Sequence, residues 1–136
     1  MDRKNFMRSC GKFTGYGLAF SLLGYSCKGS AFVAHSLNNG FIAVKKADLE
    51  DYPFVLVQPK HLPAPIFITK LENNKYSALL LQCTHRACEV RPVGHELQCP
   101  CHGSVFSYSG EVLESPAQRP LRSFQVIDEG ESLLIK

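Results

Sequence analysis

The sequence predicts a small all-β domain, an antiparallel β-sandwich or barrel, that follows a separate N-terminal segment. From about residue 40 onward, short runs of β-branched and aromatic residues alternate with turn residues, and eight prolines and ten glycines punctuate the 136-residue chain. No window after residue 26 shows the apolar spacing of a helix. This pattern is typical of short strands joined by tight turns, and the length leaves room for one domain and a tail.

Nine runs are predicted as strands. In chain order they are GFIAVKK, PFVLV, IFITKL, YSALLLQ, ELQC, SVFSY, EVLE, FQVID and SLLIK. Three pairs of turn residues separate consecutive runs and predict hairpins: Asn73-Asn74, Ser109-Gly110 and Glu129-Gly130. Residues 27–39 are predicted to be a linker, and the domain is expected to occupy residues 40–136.

Residues 1–26 are predicted to be an export signal or a membrane anchor. The basic stretch DRKNFMRSCGK precedes an apolar stretch, FTGYGLAFSLLGYS, which is shorter than the ~18 apolar residues of a clear membrane span. The start also resembles the twin-arginine export motif, with Arg3-Lys4 in the place of its arginine pair. Cys27, directly after this segment, resembles a lipoprotein processing site and is a candidate for lipidation. The alternative is a cysteine near an ordinary cleavage site or in an uncleaved anchor.

The charge of the chain is concentrated in the tail. Four basic residues and one acidic residue lie within 1–26, whereas the other 110 residues carry eleven basic and eleven acidic side chains. A nucleic-acid surface needs clustered positive charge, so no nucleic-acid partner is predicted. The tail instead predicts association with a membrane.

Two clusters of cysteine and histidine suggest a metal site. CTHRAC at 83–88 places Cys83 and His85 two residues apart, and CPCH at 99–102 places Cys99 and His102 three residues apart. Two thiolates and two imidazoles suit zinc or the iron of an iron–sulfur cluster. The other two cysteines, Cys88 and Cys101, would be expected to form a disulfide in an exported protein. A zinc domain that uses another set of four ligands is the alternative at this stage.

The two segments CTHRAC and CPCHGS are similar to the two cluster-binding boxes of the Rieske [2Fe–2S] proteins. They resemble the disulfide-containing branch found in cytochrome bc complexes, their photosynthetic counterparts and arsenite oxidases. The resemblance implies one [2Fe–2S] cluster per chain, with Cys83 and Cys99 on one iron and His85 and His102 on the other. It also implies a Cys88–Cys101 bridge. The segment ESPAQRPL at 114–121 resembles the loop that covers the cluster in this family.

Five positions bear on the reduction potential or the choice of partner. Ser104 matches a serine whose hydroxyl contacts a bridging sulfide in high-potential members. Phe106 stands where the family has a tyrosine that tunes the potential, so we expect a lower potential than in quinol-oxidising members; Tyr108 is a candidate substitute. Arg86-Ala87 replaces the Leu-Gly pair of quinol-oxidising members, which favours docking on an acidic or polar surface.

The resemblance therefore implies an exported one-electron carrier, periplasmic or tethered to the membrane, that serves a cytochrome or a larger oxidoreductase subunit. It would be an electron-transfer subunit of an oxidoreductase rather than a complete enzyme. A quinol-oxidising subunit of a cytochrome bc-type complex is the first alternative. An oxygenase-type ferredoxin and a structural zinc domain are the less favoured alternatives. Ferredoxins of that type lack the two bridge cysteines and an export signal.

Overall fold

Three four-stranded β-sheets make up the fold, which confirms the predicted all-β antiparallel class. The structure is a computed structural model that describes residues 31–136. The predicted export signal at 1–26 and the lipidation candidate Cys27 therefore lie outside the described residues. The strands are β1 Ala31–Phe32, β2 Ser36–Asn38, β3 Phe41–Lys45, β4 Phe54–Val57, β5 Ile66–Lys70, β6 Tyr76–Leu80, β7 Arg91–Val93, β8 Glu96–Gln98, β9 Val105–Phe106, β10 Val112–Glu114, β11 Val126–Asp128 and β12 Ser132–Ile135, with one short helix, α1 Asp48–Asp51.

The order of strands defines a central sheet and two flanking sheets. The central sheet has the order β1-β4-β5-β6, with a parallel pair at β1 and β4 and antiparallel pairs elsewhere. The site sheet has the order β10-β9-β8-β7, and the outer sheet has the order β11-β12-β3-β2. All three predicted hairpins are confirmed, because β5 pairs with β6, β9 with β10 and β11 with β12 in antiparallel register.

The central sheet is buried on both faces, because successive side chains of a strand point to opposite sides. On β5, Phe67 contributes to one core cluster, whereas Ile66 and Ile68 contribute to the other. On β6, Leu79 and Ala78 divide in the same way. The cluster around Phe67 extends to the site sheet, and the second cluster extends to the outer sheet. The first of these cores supports the two cysteine-bearing segments.

Several elements differ from the sequence prediction. Strands β1 and β2 lie within the segment 27–39 that was predicted as a linker, and β2 pairs with β3. Strand β7 was not predicted, because Pro92 interrupts a strand pattern; β7 lies at the edge of the site sheet, where proline is tolerated. Helix α1 is a single turn, too short to show helical periodicity. Within residues 31–136, no helix has the length and apolar character needed to cross a membrane.

Candidate metal centre

The two cysteine-bearing segments are hairpin loops of the same size. Loop 1 (residues 83–88) lies inside a pairing between Gln82 and Glu89, and loop 2 (residues 99–104) lies inside the pairing of Gln98 on β8 with Val105 on β9. In both cases the paired residues are seven positions apart. Each loop therefore leaves and re-enters a β-ladder at neighbouring points, which holds its ends in place.

The same backbone hydrogen bonds close both loops. The N–H of Cys83 donates to the carbonyl of Cys88, and that of Cys99 donates to the carbonyl of Ser104, at 2.8 Å in each case. The carbonyl of each first cysteine accepts from the residue four positions later, Ala87 at 2.8 Å and Gly103 at 3.0 Å. Both of these residues have a positive φ, 57° for Ala87 and 80° for Gly103. The loops are thus two copies of one tight turn.

The candidate ligands divide into a buried pair and an exposed pair. Cys83 is 3% exposed and Cys99 is 2% exposed, and both are free thiols. His85 and His102 are exposed, and their rings meet edge to face with centroids 4.9 Å apart. The structure therefore brings the two cysteines together and the two histidines together, with the cysteines buried and the histidines exposed.

A disulfide joins the two loops directly. Cys88 and Cys101 are bonded, with a Cα–Cα distance of 6.5 Å. The sulfur of Cys99 lies within 4.8 Å of both disulfide sulfurs. The bridge therefore lies beside the candidate ligands, where it restrains both loops at once.

The hydrogen bonds at Cys83 favour a thiolate. Burial raises the pKa of the Cys83 thiol, but donors around the sulfur lower it by more. The donors are the backbone N–H groups of His85 and Arg86 and the side chains of Cys99 and Ser104. The pKa of Cys83 consequently lies below its ordinary value, and the deprotonated form is the one that binds metals.

The segment 114–121, which was predicted to cover the site, is bound to both loops. The buried hydroxyl of Ser104 accepts a hydrogen bond from the N–H of Ala117 at 3.0 Å, which leaves its own O–H free to donate towards Cys83. The hydroxyl of Thr84 donates to the carbonyl of Arg119 at 2.6 Å. The sequence contained no signal for this role of Thr84, because its partner is 35 residues away.

Phe106 and Tyr108 have different surroundings. Phe106 is fully buried and belongs to the same core cluster as Cys83 and Cys99. The hydroxyl of Tyr108 donates to the carbonyl of Gly94 at 3.0 Å, at the β7–β8 turn, which is at the opposite end of β8 from Cys99. Burial raises the pKa of Tyr108. The idea that Tyr108 replaces the missing tuning hydroxyl is therefore wrong, because its hydroxyl is bound elsewhere.

The donor set fits an iron–sulfur cluster or zinc, because two thiols and two imidazoles suit both. The division into buried sulfurs and exposed imidazoles agrees with a cofactor whose two metal atoms have different environments. The fold and the site thus define a small all-β domain with a candidate metal site between two disulfide-linked loops.

Comparison with known proteins identifies the family. The profile of the Rieske [2Fe–2S] domain matches residues 40–125, which is more than half of the chain, so this chain belongs to the Rieske [2Fe–2S] family. Its cofactor is one [2Fe–2S] cluster, as predicted. The disulfide between the loops places it in the branch of the cytochrome bc-type proteins.

Two curated relatives of this chain are iron-sulfur subunits of cytochrome b6-f complexes. The chain is 38% identical over 66 residues to a cytochrome b6-f complex iron-sulfur subunit 2 of Nostoc sp. PCC 7120, covering 46% of this chain and 37% of that protein. It is 36% identical over 61 residues to a cytochrome b6-f complex iron-sulfur subunit of Chlorobaculum thiosulfatiphilum, covering 43% of this chain and 34% of the relative. The matched stretch thus spans about a third of the length of these curated relatives.

Among solved structures, the chain is similar to the crystal structure of the plasma membrane Rieske protein PetC3 of Synechocystis PCC 6803. The TM-score is 0.59 and the sequence identity is 28%, over 68% of this chain and 94% of the other. This similarity confirms the predicted fold over most of the described residues.

Proposed function

We propose that this protein is an exported one-electron carrier in which Cys83 and Cys99 bind one iron of the [2Fe–2S] cluster and His85 and His102 bind the other. The observation that supports this assignment best is the division of the four side chains into two buried thiols and two exposed imidazoles on matching loops. A cluster with two imidazole ligands accepts an electron at about −150 to +300 mV, against about −400 mV for plant-type all-cysteine clusters.

The chain's own side chains serve three tasks in this proposal. The two buried cysteines and the core around Phe106 exclude water from one side of the site. The exposed rings of His85 and His102 form the contact through which an electron leaves. The covering segment, through Ala117, holds the hydroxyl of Ser104 towards the buried sulfurs. Because hydrogen bonds to the sulfurs stabilise the reduced, more negative state, Ser104 raises the potential.

We infer that the electron partner is a redox protein, such as a cytochrome or a larger oxidoreductase subunit, rather than a quinol. Arg86 is exposed beside His85, where a charged group disfavours an apolar docking surface. Phe106 offers no hydroxyl to the cluster, and the hydroxyl of Tyr108 is directed to Gly94. A quinol-oxidising subunit of a cytochrome bc-type complex is the second candidate. The similarity of the chain to iron-sulfur subunits of cytochrome b6-f complexes favours it.

We further propose that residues 1–26 direct export and that the mature protein is periplasmic or tethered to the membrane. The basic and apolar halves of this segment support the proposal, as does the similarity to a plasma membrane Rieske protein. Lipidation of Cys27 is one form of the tether. Mass spectrometry of the protein purified from membranes decides between a lipid-modified Cys27, a cleaved terminus without lipid and an intact terminus.

The experiment that tests the proposed carrier is a reductive titration followed by electron paramagnetic resonance, with iron and acid-labile sulfide determined on the same sample. We expect a rhombic signal with an average g below 2, equal amounts of iron and sulfide, and a midpoint potential near or below 0 mV, within the range of the family. Zinc without sulfide would overturn the cluster assignment. A high potential that falls as the pH rises would favour the quinol-oxidising alternative.

The same titration on Phe106→Tyr tests why the potential is low. A hydroxyl that favours the reduced state by about 1 kcal/mol corresponds to an upward shift of roughly 40 mV for one electron. Tyr108→Phe is the matched control: it removes a hydroxyl that is bound to Gly94, so we expect no comparable change in potential. An unchanged potential in a folded Phe106→Tyr protein would contradict the role of this position.

A further inference from the structure

Three arginine side chains line a groove beside loop 1, next to His85, the candidate contact for electron transfer. The groove has a volume of about 400 Å³, and its lining includes His85, Arg86, Arg119 and Arg122. Its lining contains no aspartate or glutamate. The guanidinium groups of these three arginines make no ion pair with a carboxylate of residues 31–136. Their charges are therefore available to a partner.

The backbone of all three arginines is held in place. The N–H of Arg86 is directed at the sulfur of Cys83. The carbonyl of Arg119 accepts the 2.6 Å hydrogen bond from Thr84, and the carbonyl of Arg122 accepts a 2.8 Å bond from the N–H of Leu80. The guanidinium carbon of Arg122 also lies 5.0 Å from the centroid of the Phe124 ring. The backbone at all three arginines is thus ordered before a partner binds, so binding carries no entropy cost for ordering it.

The charge of the groove contrasts with that of the rest of the domain. Residues 31–136 carry ten Lys and Arg side chains and eleven Asp and Glu side chains. When the three groove arginines are set aside, seven basic side chains remain against the same eleven acidic ones. A domain that is slightly acidic as a whole therefore presents a positive groove that includes His85 in its lining. Such an asymmetry orients a charged partner during its approach.

We propose that Arg86, Arg119 and Arg122 form the docking site for a redox protein with a carboxylate-rich surface, which brings that protein's redox group to His85. This inference rests on the proposed carrier function and names the chemistry of its partner. An uncharged quinol has no negative charge to pair with three guanidinium groups, whereas each carboxylate of a protein surface can form paired hydrogen bonds with one of them.

The test uses two probes that differ in surface charge but share a haem. They are cytochrome c with its native lysines and cytochrome c whose lysines have been succinylated, which replaces ammonium groups by carboxylates. The full chain with its cluster is titrated with each probe at low ionic strength by isothermal calorimetry. We expect at least about tenfold tighter binding of the succinylated form, and we expect this preference to disappear as salt screens the charges.

Two triple variants locate the effect. Arg86→Gln/Arg119→Gln/Arg122→Gln should lose the preference, whereas Lys45→Gln/Lys70→Gln/Lys75→Gln, which removes three exposed cations that do not line the groove, should keep it. Both variants keep the basic N-terminal segment, so its contribution to binding cancels in the comparison. Equal losses in the two variants, or no loss in either, would overturn the docking site.

A second readout separates this inference from the proposed function. In stopped flow, the reduced cluster loses one electron and the ferric haem of the probe becomes ferrous. If both probes are reduced but the groove variant has no effect on binding or rate, the carrier function stands and the docking site fails. If the groove variant abolishes binding of the succinylated probe but neither probe is ever reduced, the docking site stands and the carrier function fails.

Discussion

Loop 1 and loop 2 share one backbone conformation but carry different side chains on it. In both loops the first residue is a cysteine and the fifth residue has a positive φ. The carbonyl of the sixth residue accepts a hydrogen bond from the N–H of that cysteine. The histidine, however, is the third residue of loop 1, His85, and the fourth of loop 2, His102. In loop 2 the third position holds Cys101, which bonds to Cys88 at the sixth position of loop 1. The repeated turn thus positions the cysteines, and the side chains make the two loops different.

The loops also differ in how they are anchored to the rest of the protein. Loop 2 ends in Ser104, which is fully buried and bound to the N–H of Ala117. Loop 1 contacts the same covering segment through Thr84, whose bond to the carbonyl of Arg119 is exposed. Apart from its hairpin stem, loop 1 depends more on the disulfide. The disulfide therefore supports mainly the loop that carries His85 and Arg86.

The largest effect is expected from removal of the disulfide in Cys88→Ser/Cys101→Ser. The bridge closes a segment with a sequence separation of 13, and a bridge over a loop of about 15 residues contributes about 3 kcal/mol. Urea unfolding of the cluster-containing protein should show a loss of this order. Hydrogen exchange should rise more at the amides of Cys83 and Ala87 than at those of Cys99 and Gly103.

Cys27→Ser is the matched control for the disulfide variant, because it removes a cysteine outside both loops. It should leave the free energy of unfolding and the exchange pattern unchanged. Equal exchange in the two loops of the disulfide variant would contradict the idea that loop 1 depends more on the bridge.

Ser104→Ala should have the next largest effect. It leaves the buried N–H of Ala117 without a partner, which costs about 1–3 kcal/mol. It also removes an O–H that points to Cys83, so the reduction potential should fall. Thr84→Ala, the corresponding change in loop 1, removes an exposed hydrogen bond and should cost about 1 kcal/mol with no fall in potential. Potentiometric titration of both variants checks this, and equal shifts would show that the two anchors are equivalent.

The sequence predicted most of this architecture because the features that define it are local. Turn residues such as Asn73-Asn74 are adjacent in the chain, and each ligand pair lies within four residues. Strand β7 and helix α1 escaped prediction for local reasons, Pro92 and a length of one turn. What else escaped prediction depends on contacts between distant segments. The groove combines Arg86 with Arg119 and Arg122, and the hydroxyl of Tyr108 finds its partner at Gly94, 14 residues earlier. No local pattern contains such pairings, because they depend on how the sheets pack.

The smallest predicted effect tests the repeated turn itself, through Ala87→Gly and Gly103→Ala. Ala87 has a φ of 57°, a conformation that costs a residue with a Cβ roughly 1–2 kcal/mol. Glycine avoids this strain, but its greater entropy in the unfolded state offsets part of the gain in stability. We expect Ala87→Gly to stabilise the protein by about 0.5–1 kcal/mol in urea unfolding. At Gly103 an added Cβ meets no atom within 4 Å, so Gly103→Ala should be destabilising by about 1 kcal/mol through backbone strain alone. Both variants retain the N–H that donates to the preceding cysteine carbonyl, so the potential should stay constant. If Ala87→Gly stabilises the protein and Gly103→Ala destabilises it, both hairpin stems impose the same positive-φ conformation on the fifth loop residue. A loss of stability in Ala87→Gly would instead show that the two turns are not equivalent.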